Sequence, residues 1–145
     1  MLTNKQIDLV RRSFERVAPC MGEFADGFYD TLFGYQPALR LLFPDDLDAQ
    51  KNKLVEMLEA ALGLLDEPEK LVPVLEESGR RHALYGVRER HYEPVGGALL
   101  AALGETLGAE FDTETAAAWA RLYGVMSDAM MRGARGLQVW DAVEH

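Results

Sequence analysis

Apolar residues recur along this chain at spacings of three and four, and runs alternating at a spacing of two are nearly absent. The first period belongs to one face of an α-helix, the second to a strand. No Asn-Gly or Asp-Gly hairpin turn separates two alternating runs. The pattern therefore predicts an all-α fold of six to seven helices, one of them very short.

Local signals place those helices. Thr3 followed by Gln6 reads as a capping box, and Ile7, Val10, Phe14 and Val17 share one face of the helix it opens. Pro19 ends that helix. A second runs from about Met21 to Gly34, with Phe24, Phe28, Leu32 and Phe33 as its stripe. "PALRLLF" is a short third piece that stops at Pro44. Asp45, Asp46 and Asp48 suit the positive end of the next helix, which carries Leu47, Leu54, Met57, Leu58, Ala61 and Leu65. Pro68 opens another that reaches about Leu84, and Pro73 inside it should kink or split it. "GVRERHYEP" is a corner. A helix from about His91 to Leu107 follows and stops at Gly108. Asp112 caps the last helix, through Trp119, Tyr123, Met126 and Met130. Gly133 and Gly136 weaken its end, so 133–145 is expected to be loosely ordered within one domain spanning 1–145.

Charge narrows the partners. Fifteen basic and 24 acidic residues give a net charge of −9. Such a surface repels nucleic acid and anionic membrane, so neither is an expected partner, and no basic patch stands out. One cysteine, Cys20, cannot form an internal disulfide. The longest apolar-rich runs, "LVEMLEAALGLL" and "VGGALLAALGETLG", are broken by charge and too short to span a bilayer. The N-terminus lacks a signal-peptide pattern, so a cytoplasmic protein is expected.

His82 lies near a helix end in "GRRHALYGV". Its ordinary role there is to complement the helix dipole. A ligand role needs a metal that takes few protein ligands. Zinc wants about four, commonly with a close pair, and neither His-x-x-x-His nor Cys-x-x-Cys occurs. Haem iron needs one axial histidine, because the porphyrin supplies four nitrogens.

The stretches "FYDTLFGYQPALRLLF", "AQKNKL", "GRRHALYGVRERHYEPVGGALLAALGETLG" and "AWARLYGV" resemble the globins. In particular they resemble the single-domain bacterial haemoglobins related to the globin part of flavohaemoglobins, of the Hell's Gate globin type. The resemblance covers about Asn4 to Met131. It implies a globin fold around haem b, iron protoporphyrin IX. His82 matches the proximal iron ligand, Phe43 the Phe that packs on haem at the corner after the third helix, and Tyr29 a distal Tyr. Gln50 matches the distal polar residue, Leu54 the apolar residue one turn on, and Tyr92 a proximal Tyr. Phe28, Leu58, Val87, Val95 and Met126 are candidate pocket walls, and Arg81 or Lys53 candidate propionate partners. The position where flavohaemoglobins place a proximal Glu is Ala134, which argues against a strong peroxidase.

Dioxygen, nitric oxide and carbon monoxide are the ligands so implied. Tyr O–H and Gln N–H are donors suited to the partial negative charge that dioxygen takes on at haem. Each net hydrogen bond is worth about 1 kcal/mol, so two shift oxygen affinity by about tenfold or more. Two functions follow from the resemblance. One is nitric oxide detoxification to nitrate, with Tyr29 and Gln50 as catalytic residues and an external reductase. The other is oxygen binding, storage or delivery without turnover. A sensor module and a haem-free helical adaptor rank below both. His91 and His145 have no assigned role and are expected at the surface.

Overall fold

The computed structural model describes residues 1–144, with side chains described through residue 136. Among the described residues the chain forms six α-helices, four short 3₁₀ segments and no strand. The helices are α1 (Asn4–Val17), α2 (Met21–Tyr35), α3 (Asp48–Gly63), α4 (Pro68–Leu84), α5 (Tyr92–Leu107) and α6 (Thr113–Glu144). The 3₁₀ segments are Ala18–Cys20, Pro37–Leu42, Glu89–His91 and Gly108–Glu110. None of these helices is long and apolar enough to cross a membrane.

The helix ends obey the local chemistry. Gln6 N–H donates to Thr3 Oγ1 at 3.1 Å and Thr3 N–H to Gln6 Oε1 at 2.9 Å, which satisfies two otherwise unpaired donors of α1. Gly108 ends α5 at φ +58, in the left-handed region that favours glycine. Asp112 Oδ1 accepts from Thr115 N–H at 2.8 Å and opens α6.

Of the two outcomes expected at Pro73, a kink or a split, the split does not occur: α4 runs on through that residue. Pro73 and Glu69 both lie on the exposed face. The carbonyl of Glu69, which loses its N–H partner, therefore faces solvent rather than core, and the loss is tolerated.

The tightest packing is between α4 and α6, followed by α2 on α5 and α1 on α6. Two glycines permit the first. Gly79 lies against the backbone of Met130, and Gly133 against the backbone of Glu76. Gly133, read in sequence as weakening the helix end, is instead a contact point inside α6. Much of 133–145 and all of His145 lie outside the residues whose side chains are described. Where α1 meets α6, Trp119 is fully buried and its Nε1–H donates to Ser13 Oγ at 2.8 Å. The consecutive helices α3 and α4 are not among the principal packing pairs; α3 is backed by α2 and α4 by α6.

Candidate functional site

His82 sits in the last turn of α4, half-buried. Its Nδ1 lies 2.6 Å from the backbone oxygen of Ser78 and 3.4 Å from Ser78 Oγ. A carbonyl oxygen only accepts, so Nδ1 carries the proton and donates. In the neutral ring this leaves Nε2 as a bare lone pair, the form a metal takes. Helix geometry supplies the partner, because residues four apart share a face. The corner then closes on the carbonyl of His82, which accepts from Tyr85 N–H at 3.1 Å and Val87 N–H at 3.0 Å. Gly86, at φ +100, makes that reversal possible.

A second group of side chains comes from α2, the corner after it and the start of α3. Tyr29 is buried, 3% exposed, within a cluster of aromatic rings. Its centroid lies 4.9 Å from Phe28, 5.7 Å from Phe43 and 5.9 Å from Phe33. Arg40 builds the corner that presents Phe43. Its guanidinium lies 5.5 Å from the Phe33 centroid and donates to the carbonyls of Phe43, Pro44 and Asp45 at 3.3, 2.7 and 2.8 Å. Lys51 pairs with Asp26 at 2.7 Å and ties α3 to α2 beside the cluster.

The Tyr29 hydroxyl donates to the backbone carbonyl of Gln50 at 3.4 Å, a long bond. Burial pushes its pKa up, partly offset by the Gln50 side chain, so the phenol stays protonated and remains a donor. Gln50 is half-buried; its backbone carbonyl accepts from Tyr29, and its side chain also acts on the Tyr29 hydroxyl.

The other expected residues divide into two sets. Phe28, Leu58 and Met126 are buried in the main core. Phe43, Leu54, Val87 and Val95 pack against that core but keep part of their apolar surface uncovered. Arg81 is exposed and has no carboxylate partner among the described residues. Tyr92 is buried at the start of α5, and its carbonyl accepts from the Tyr123 hydroxyl. Burial raises the pKa of both phenols; the Glu89 carboxylate adds to the effect on Tyr92, and Tyr92 to that on Tyr123. Ala134 is half-buried on α6.

His91 differs from expectation. It is half-buried rather than superficial, and its Nδ1 accepts from Arg88 N–H at 2.9 Å, closing the corner. Burial, then Arg90 and Arg88, lower its pKa. Three residues were not singled out from sequence: Ser78, Arg40 and Tyr123. Ser78 had a readable signal, since it lies four residues before His82 on one helical face. Arg40 had none, because its work is done through backbone carbonyls.

The globin family model matches residues 26–130. The chain is a globin. It is 33% identical over 135 residues to the flavohemoprotein of Bordetella parapertussis, covering 88% of this chain and 34% of that protein. The flavohemoprotein of Bacillus subtilis is 31% identical over 135 residues, covering 90% of this chain and 34% of its own length. The chain thus spans about a third of the length of these curated relatives. Among solved structures, a bacterial globin from Campylobacter jejuni superposes with a TM-score of 0.82 at 22% identity, over 94% of this chain and 99% of that one. An engineered carbene transferase built from a candidate nitric oxide dioxygenase of Rhodothermus marinus superposes with a TM-score of 0.83 at 25% identity, over the whole of both chains. Membership of this family implies haem binding.

The residues of this globin fit such a group. His82 offers one neutral imidazole nitrogen with its other nitrogen already committed. The half-covered apolar side chains Phe43, Leu54, Val87 and Val95 come from the corner before α3, from α3, from the corner after α4 and from α5. Helices α3 and α4 are backed by different partners and are not among the principal packing pairs.

Proposed function

We propose that this globin binds haem b through His82 Nε2 and dioxygen beside Tyr29 and Gln50, and serves nitric oxide dioxygenation to nitrate with electrons from an external reductase. The observation that carries the reading is the bond from His82 Nδ1 to the Ser78 carbonyl, which presets tautomer and ring orientation. When bound, haem supplies reversible affinity for dioxygen and a one-electron change of iron oxidation state. The chain's own residues do the rest. Ser78 orients the imidazole. The Tyr29 hydroxyl, weakly held by Gln50, is a donor free to turn toward a partly negative ligand. The rings of Phe28, Phe33 and Phe43 keep water from that donor. The flavohemoprotein relatives and the Rhodothermus neighbour support the nitric oxide assignment.

A second reading is oxygen binding or storage without turnover. One observation favours it: His82 leans on a carbonyl rather than a carboxylate, and α6 carries Ala134 where a glutamate would make the imidazole more electron-donating.

The deciding experiment mixes the oxygenated protein with nitric oxide in a stopped-flow spectrometer and measures nitrate. Full conversion to the ferric spectrum with one nitrate per haem supports dioxygenation. An oxygenated spectrum that persists, with no nitrate formed, would refute it and leave oxygen binding.

A further inference from the structure

The corner that follows His82 has a charge unlike the rest of the molecule. The chain carries −9 overall, yet Arg80 to His91 holds four arginines against one glutamate. Sequence reading finds no basic patch, because these residues are spread over a helix end and a turn; the fold sets Arg88 and Arg90 along one groove. Glu89 is already neutralised by Arg135 at 2.7 Å. Arg80 pairs with Glu77 at 3.2 Å. Arg81, Arg88 and Arg90 are exposed and have no carboxylate partner among the described residues.

The same corner carries exposed apolar side chains. Leu84 is 68% exposed and Tyr85 72%, and Leu41, in the segment before Phe43, is 87% exposed. Gly86 joins the two sides, since a Cβ there would lie 3.3 Å from Leu42 Cδ2. A groove of about 350 Å³ runs between them, with Leu41 and Leu42 on one wall and Arg88, Arg90 and His91 on the other. Exposed leucines facing unpaired arginines across a groove, with Leu84 and Tyr85 exposed just before Gly86 in the chain, have the composition of a protein interface, with apolar anchors and a charged rim.

We propose that this corner docks a small acidic one-electron carrier protein, the donor that the proposed function requires. The inference rests on that reading. Charge complementarity selects the partner: a two-fold pair of this chain through the corner would set arginine against arginine, whereas an acidic face concentrated at a carrier's redox edge matches Arg88 and Arg90. Position agrees, because Leu84 and Tyr85 follow two and three residues after His82. In the transfer, the reduced carrier loses one electron and the ferric haem gains it, with no bond made or broken.

The probe is a bacterial flavodoxin, acidic and reduced to its hydroquinone. Its second-order rate of reducing the ferric haem-loaded protein is followed against ionic strength. The expected rate falls as salt rises, although both proteins are net negative, and the Arg88→Glu/Arg90→Glu variant is slower by about tenfold or more at low salt. A second readout needs no haem. Amide shifts of the ¹⁵N-labelled globin on adding oxidised flavodoxin should map to residues 36–42 and 84–91. A wild-type rate that rises with salt, or shifts scattered or centred elsewhere, overturns the proposal. So does sedimentation showing a self-dimer that the double variant breaks, for then the face belongs to a second copy. Failure to take up haem sinks the proposed function, while the shift map still decides the docking face.

Discussion

Replacing Gly133 with alanine tests the helix contact on which the position of His82 depends. A Cβ built there lies 2.6 Å from the carbonyl carbon of Glu76 and 2.8 Å from its Cα, with the oxygen nearer still. Carbon atoms in good contact stand roughly 3.5–4.0 Å apart, so α4 and α6 must separate by about 1 Å. The obstacle is backbone on both sides, and no rotamer relieves it. Overpacking of this kind costs about 3 kcal/mol, at the upper end of its range. Exchanging glycine for alanine in a helix returns about 1 kcal/mol. The net loss of about 2 kcal/mol corresponds to a melting temperature lower by about 8 °C for a chain of this length. Gly124 is the control, because nothing lies within 4 Å of its Cβ position. Gly124→Ala should raise the melting temperature by about 4 °C. Circular dichroism melts of the two variants should therefore move in opposite directions. If Gly133→Ala melted at or above the wild-type temperature, the close approach of α4 to α6 would be refuted. A separation there also shifts Glu76, Ser78 and His82 together, since all three ride on α4.

Ser13→Ala strands the buried Nε1–H of Trp119 and should cost about 1–3 kcal/mol in urea unfolding, whereas Ser13→Thr, if it keeps the acceptor, should cost less. Tyr29→Phe removes the donor beside Gln50, and dioxygen should leave about tenfold faster in stopped-flow displacement by carbon monoxide; an unchanged rate would sink the role given to Tyr29. The His91 pKa is lowered below 6.5, the folded state thus binding fewer protons than the unfolded one. Its stabilising contribution is present above about pH 6.5 and fades as pH falls toward the folded value, so NMR titration of the His91 ring should show a midpoint under 6.5. A midpoint at or above that value would contradict the corner geometry.

Helix ends were the most legible part of this globin, because caps are local. Thr3 with Gln6, Gly108 and Asp112 each act within a few residues of themselves. The site was half legible. His82, Tyr29 and Phe43 stood out through the family pattern, and the structure places Tyr29 and Phe43 in one aromatic cluster. What bears on them was hidden. The Gln50 carbonyl is a backbone group, whose side-chain identity carries no signal, and Ser78 was legible only as a position four residues before His82. Gly133 looked like a flexible point because sequence does not show which helix passes beside it. Pro73 looked like a break because sequence does not show that its face is exposed. Arg88 and Arg90 looked like dispersed charge until a turn set them beside Leu41.

The central claim is that His82 holds haem. The most direct test is the absorption spectrum of the purified protein after reconstitution with haem, alone and with carbon monoxide after reduction, beside the His82→Gly variant with and without added imidazole. A strong Soret band that the variant loses and imidazole restores is the predicted result. A wild-type protein that takes up no haem, or a variant whose spectrum matches the wild type without imidazole, would contradict it.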